Sequence, residues 1–227
     1  MFVEEFLADL PAAMGKRLAD FVSVESLVSH SEISHVAITG RFPLAEPFRE
    51  TGYVLPAPLT AAQNDDVLGV ATAALAAIGA HSGGFHTEVK LTPDGPRVIE
   101  VNGRLGGGIH EMLFQASGES IMRLLTRVAL GEHVVLDGLV ACGRIGWRFF
   151  YQPPTTARRV VTIEGLDRLA DRPGVKLVYV HRGPGEEVDW REGTSQFIFE
   201  TSGVATSYEE VFEIDRFLHE EVTVIFE

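Results

Sequence analysis

The chain has 227 residues, enough for one or two modest domains, and an apolar fraction of 45% suits an ordinary core. Its formal charge of −13, from 32 acidic and 19 basic residues, argues against nucleic-acid binding, which needs a basic face. A single cysteine, Cys142, excludes an intrachain disulfide and fits a reducing, cytoplasmic compartment.

The start is acidic (Glu4, Glu5, Asp9) and lacks the basic-then-apolar order of a secretory signal. Residues 20–28 alternate apolar and polar, which predicts a strand. Ser29 to Glu32 is read as its turn and Ile33 to Thr39 as the returning strand. The stretch from Gly40 to Gly52 is read as a loop from its Pro and Gly content, and it carries the charged residues Arg41, Glu46 and Arg49. Thr60 to Ala80 is Ala-rich with Asn64, Asp65 and Asp66 early, which predicts a helix with acidic residues near its positive end. Its weakly polar run, Val67 to Ile78, is too short to span a bilayer, so no membrane is expected.

Residues 85–102 predict a hairpin. Both flanks alternate with period two around Pro93-Asp94-Gly95, read as a three-residue loop with Gly95 at positive φ. That loop pairs Thr92 with Pro96, Glu88 with Glu100 and His86 with Asn102. One face then carries His86, Glu88, Lys90, Glu100 and Asn102. The other carries Phe85, Val89, Leu91, Ile99 and Val101, which suits a core. Two like charges directly opposite destabilise a sheet. Either Lys90 relieves them on a solvated face, or a divalent cation between them reverses the sign. Oxygen-only ligands point to a hard ion such as Mg²⁺.

Gly103-Arg104-Leu105-Gly106-Gly107-Gly108 follows at once. Repeated glycines let backbone N–H groups converge on an anion, and Arg104 adds a fork suited to phosphate or carboxylate. A helix is expected over Glu111 to Leu130, broken or kinked near Gly118. A boundary is expected near Gly131 to Leu136. Beyond it, residues 143–150 read as a strand, 165–169 as a short helical turn, 175–181 as a strand, 208–219 as an amphipathic helix and 221–226 as a closing strand.

The run His86-Thr87-Glu88-Val89-Lys90, followed by Val98-Ile99-Glu100-Val101-Asn102-Gly103-Arg104-Leu105-Gly106-Gly107, resembles the C-terminal half of an ATP-grasp domain. It is most similar to the carboxylate–amine ligases that join amino acids into dipeptides. The resemblance implies an α+β fold. Residues 1–130 would form the C-terminal part of the ATP-grasp domain, an antiparallel sheet with packed helices, and 131–227 a small α/β subdomain. It also implies that Glu88, Glu100 and Asn102 hold Mg²⁺, or Mn²⁺ in its place, on the ATP phosphates. Arg104 would contact the γ-phosphate, the acyl phosphate or the substrate carboxylate. Glu4, Glu5, Phe6 and Leu7 resemble the adenine hinge, and Glu25 the acidic strand residue near ribose or metal. Arg41, Glu46 and Arg49 lie in a loop that borders the amino-acid pocket in such ligases.

The implied reaction is ATP-dependent amide formation through an acyl phosphate. The family also has an N-terminal domain and a lysine-bearing lid ahead of the hinge, whereas the hinge-like strand here begins at Met1. Three expectations follow: a fragment, one subunit of a split enzyme whose partner supplies the lid, or a non-catalytic nucleotide- or metal-binding or scaffold protein; the partner expected is a protein that supplies the N-terminal half, or a homo-oligomer forms.

Overall fold

The computed structural model describes residues 5–227. Along the chain run β1 (Phe21–Ser29), β2 (Glu32–Arg41), β3 (Gly52–Leu55), α1 (Ala61–Ala77), β4 (Gly83–Thr92), β5 (Gly95–Asn102), α2 (Ile109–Ser117) and α3 (Ile121–Ala129). Then come β6 (Ile145–Phe150), β7 (Val160–Glu164), α4 (Leu166–Ala170), β8 (Val175–Val180), β9 (Phe199–Ala205), α5 (Tyr208–Glu221) and β10 (Thr223–Phe226). Two compact units form: residues up to 41 with 55–142, and residues 42–54 with 143–227. The fold is α+β, with antiparallel sheet and packed helices in the first unit.

In the first unit the strands lie in the order β5-β4-β1-β2, each pair antiparallel. β1 is flanked on both edges and is buried along its whole length, which is why it tolerates apolar residues on one face and Ser23 and Glu25 on the other. His30 and Ser31, both at positive φ, close the β1–β2 turn, the left-handed geometry that hairpin turns favour. Helix α1 buries Val67, Ala71 and Leu75, a four-residue spacing that makes one narrow stripe. Thr60 caps it reciprocally with Gln63: the Thr60 hydroxyl accepts from Gln63 N–H at 3.3 Å, and the Gln63 side chain accepts from Thr60 N–H at 2.9 Å. The break expected near Gly118 is present. Gly118 takes φ 80° after α2, and Ser120 caps α3 by accepting from Arg123 N–H at 3.2 Å.

The β4–β5 hairpin corrects the expected loop. Thr92 pairs with Gly95, not Pro96, so the loop is the two residues Pro93 and Asp94. The register then slips between Glu88 and Val89, where Val89 pairs with Val98 but Glu88 with Glu100. One extra residue in β5 offsets the shorter loop, so Glu88–Glu100 and His86–Asn102 face each other as expected. The extra residue is Ile99. It is 44% exposed and does not join the core, because it sits in a bulge on the outermost strand.

In the second unit the order is β3-β6-β9-β8, with β7 and β10 as a separate antiparallel pair. Trp147, Phe149, Ile198 and Phe199 are buried in it, and α5 contributes Val211, Ile214 and Leu218. β3 lies partly in the stretch read as a loop. β7 and β9 were not expected from the sequence. β9 contains Gly203, whose absent Cβ would stand 2.0 Å from the Gly174 carbonyl oxygen, so backbone approach replaces the side-chain alternation that marks a strand.

Candidate functional site: a charged strand face beside a glycine loop

Antiparallel register places the site residues of the first unit in two rows on one face. Glu25 on β1 faces His86 on β4, which faces Asn102 on β5. Ser23 faces Glu88, which faces Glu100. Thr39 on β2 faces Ser23, and two residues on Arg41 ends β2 with 2% of its surface exposed. Arg41, read as a loop residue, is thus a strand residue whose guanidinium reaches the same face.

His86 is the centre of this face. Its Nδ1 lies 2.5 Å from Glu25 Oε1 and its Nε2 3.3 Å from Glu88 Oε1. Arg41 Nη2 stands 3.9 Å from the same Glu88 oxygen. Burial works against a charge on His86, but the hydrogen bonds to Glu25 and Glu88 and the Glu25 charge outweigh burial and the Arg41 charge. The imidazole pKa is pushed up to about 9. Burial likewise opposes ionisation of Glu88, but the His86 hydrogen bond and the charges of Arg41, His86 and Arg104 hold its carboxyl below the usual range. Glu88 therefore has its counter-charge within the protein.

Lys90 does not relieve Glu88 and Glu100, as the sequence allowed. Its ammonium lies 2.7 Å from both Asp9 and Asp20. Burial lowers its pKa, and the bonds to Asp20 and Asp9 raise it further than burial lowers it. The pair fastens the irregular segment before β1 to β4, and Leu10 N–H donates to Asp20 at 2.8 Å. Within that segment Glu5, Phe6 and Leu7 lie outside any strand, and Phe6 is 78% exposed. Glu4 lies outside the described residues.

Glu25 is fully enclosed. One carboxylate oxygen takes the His86 ring and the other accepts from Gly106 N–H at 3.0 Å. At Gly106 the anion that the glycine loop meets is therefore the protein's own Glu25. A Cβ on Gly106 would stand 2.7 Å from both His86 Nδ1 and Ile109 Cδ1, so glycine is required by close approach. Glu25, His86 and Gly106 tie β1, β4 and the loop into one unit, with Glu88 held at its end. Sequence reading singled out each of these residues but not their bonding, since only a His placed opposite a buried acid signals it.

Glu100 is exposed and accepts from Asn102 Nδ2–H at 2.7 Å. Arg104 is exposed, and its guanidinium donates to the Leu105 carbonyl at 3.0 Å. Among the described residues no group of three or more His, Cys, Asp or Glu is placed to hold a metal ion. Register sets Glu88, Glu100 and Asn102, three side chains with oxygen donors, on one face of the hairpin. Glu46 and Arg49 belong to the second unit. No helix among the described residues is long and apolar enough to cross a membrane.

No family model matches the sequence. Over 141 residues the chain is 31% identical to an uncharacterized protein of Sinorhizobium fredii, covering 59% of this chain and 27% of that one. Over 90 residues it is 33% identical to carnosine synthase 1 of Gallus gallus, covering 39% of this chain and 10% of that one. The L-amino acid ligase from Bacillus licheniformis superposes with a TM-score of 0.79 and 26% identity, over 91% of this chain and 52% of the ligase. Phosphoribosylglycinamide synthetase from Anaerococcus prevotii superposes with a TM-score of 0.72 at 12% identity, over 92% of this chain and 53% of that one, which speaks to the fold alone. The chain thus spans about half the length of these solved structures. The chain therefore carries the ATP-grasp carboxylate–amine ligase fold, with the paired carboxylates, the amide and the glycine–arginine loop set within it.

Proposed function

We propose that the chain binds Mg²⁺·ATP on the Glu88–Glu100 face and serves an amide-forming ligase that joins two amino acids through an acyl phosphate. The observation that carries this reading is the register that sets Glu88 against Glu100 with Asn102 beside them, ahead of Arg104. It is supported by the likeness to the L-amino acid ligase.

In this reading a substrate carboxylate attacks the γ-phosphorus of ATP and ADP leaves. An amine then displaces phosphate from the acyl phosphate. Mg²⁺ on Glu88, Glu100 and Asn102 supplies charge neutralisation for the phosphates. Arg104, exposed at the start of the loop, steadies the transferring group. His86 and Arg41 keep Glu88 ionised and fixed in orientation. Glu25 fixes the loop through Gly106 N–H. The adenine-hinge role of Glu5, Phe6 and Leu7, the split-subunit partner and the cytoplasmic setting belong to the same proposal.

Calorimetric titration of the chain with ATP, with and without Mg²⁺, tests it. Mg²⁺-dependent heat that disappears in Glu88→Gln/Glu100→Gln is the expected result. Binding indifferent to Mg²⁺ or to the double substitution would overturn it. A second reading, nucleotide binding without turnover, is favoured by one observation: Glu88 already has cationic partners in His86 and Arg41. ADP release in the presence of mixed amino acids separates the two.

A further inference from the structure

The 45–49 loop of the second unit holds an aromatic ring out in solvent. Ala45 and Arg49 exchange two backbone hydrogen bonds, each N–H donating to the other's carbonyl at 2.8 Å, so Glu46, Pro47 and Phe48 form a three-residue tip. The Arg49 side chain grips the same tip: its Nε–H donates to the Glu46 carbonyl at 2.9 Å, and Nη2 donates to the same oxygen. Phe48 takes φ 57°, in the left-handed region, and is 78% exposed. An exposed phenylalanine by itself signifies little. One held by a clamped tip in a conformation that bulky residues rarely adopt points to a use outside this chain's own core.

The same loop borders a cavity of about 570 Å³, shared with the 149–155 segment, α5 and β10. Phe149, Tyr151, Leu218 and Phe226 supply apolar wall, and Phe48 is not part of the lining. Arg49 lines the cavity too and is only 4% exposed. Its Nε, Nη1 and Nη2 all donate to carbonyls, Nη1 to that of Pro153 at 2.9 Å. With these in-plane donors engaged, the guanidinium suits the face of an aromatic ring better than an anion that needs its N–H groups. A benzene-sized ring fits a cavity of about 150 Å³, so a phenyl group has room here. An apolar knob and an apolar hole thus lie on one loop and its surroundings. Such self-complementarity within one patch is what a two-fold contact between identical chains requires.

We infer that two copies of this chain associate about a two-fold axis, the Phe48 ring of each entering the other's cavity against Phe149, Leu218 and Phe226 and beside Arg49. The contact lies in the second unit and does not involve Glu88 or Glu100.

The test uses the full chain without nucleotide, so a failure of the ATP site does not affect it. Sedimentation equilibrium is run from low micromolar to hundreds of micromolar chain. The natural chain is expected to dimerise. Phe48→Ser removes both buried rings of the pair and should weaken dimerisation at least about hundredfold; the residue is exposed, so the variant should fold. Thr155 is an exposed turn residue on the cavity lining, and Thr155→Trp, which fills the mouth, should weaken dimerisation likewise. Mixing the two variants pairs one intact ring with one open cavity, so the mixture should associate more tightly than either variant alone. A natural chain that stays monomeric over this range would overturn the inference and leave knob and cavity to a different protein. So would Phe48→Ser or Thr155→Trp dimerising as the natural chain does, or a mixture no tighter than its components.

Discussion

The protonated state of His86 gives the sharpest test of the charged face. Its pKa stands at about 9 against an ordinary 6.5. Because the folded value is the higher one, the bonds to Glu25 and Glu88 stabilise the fold fully below pH 6.5, progressively less above it, and not at all beyond about pH 9. A difference of two to three pH units at about 1.4 kcal/mol each amounts to roughly 3 kcal/mol. Glu25 and Glu88 favour the proton, Arg41 opposes it, and Gly106 N–H holds the far Glu25 oxygen. The assay is urea unfolding from pH 6 to pH 10 on the natural chain and on His86→Gln, taking the difference at each pH so that other alkaline groups cancel. The natural chain should lose its advantage across pH 6.5 to 9, while the imidazole resonances of His86 titrate near 9. An advantage that does not change with pH, or a ring titrating at or below 6.5, would refute the paired-carboxylate account.

Other outcomes follow from the same geometry. Gly106→Ala drives a methyl into His86 and Ile109, and overpacking of this kind costs about 1–3 kcal/mol; an unchanged melting temperature would show that the loop can move aside. Glu100→Gln should leave unfolding free energy within about 0.5 kcal/mol of the natural chain, since Glu100 is exposed and its carboxylate accepts a hydrogen bond from the neighbouring Asn102 amide, while Mg²⁺-dependent ATP binding falls; a large stability loss would make the carboxylate structural. Lys90→Met removes both ties to Asp9 and Asp20 and should open the segment before β1 to limited proteolysis, which unaltered resistance would contradict. Thr60→Ala removes the α1 cap and should cost about 1 kcal/mol in denaturant unfolding.

The charged face also bears on the carboxylate pair itself. Repulsion between Glu88 and Glu100 was the reason to expect a cation between them. His86 and Arg41 already meet one of the two. The metal proposal therefore rests on the all-oxygen donor set and its resemblance to the ligases, with Glu100 as the carboxylate that lacks a cation beside it among the described contacts.

Much of the first unit was legible in the residues alone. Alternation marked β1, β2 and the 85–102 hairpin, and Gly118 marked the break between α2 and α3, because these signals come from neighbours along the chain. The facing of Glu88 with Glu100 was legible too, although two unforeseen features, a shorter loop and a bulge at Ile99, had to offset each other. What only the tertiary structure decided is the bonding across strands. Glu25, His86 and Gly106 are far apart in sequence, and nothing in their local patterns says that Glu25 is buried between a cationic imidazole and a loop N–H. Nor does local pattern send residues 42–54 to pack with the chain beyond Gly143, or hide Arg49 among carbonyls. Periodicity is set by steric and solvation preferences of adjacent residues, whereas charge state and partner choice depend on which strands come together and how much water they exclude.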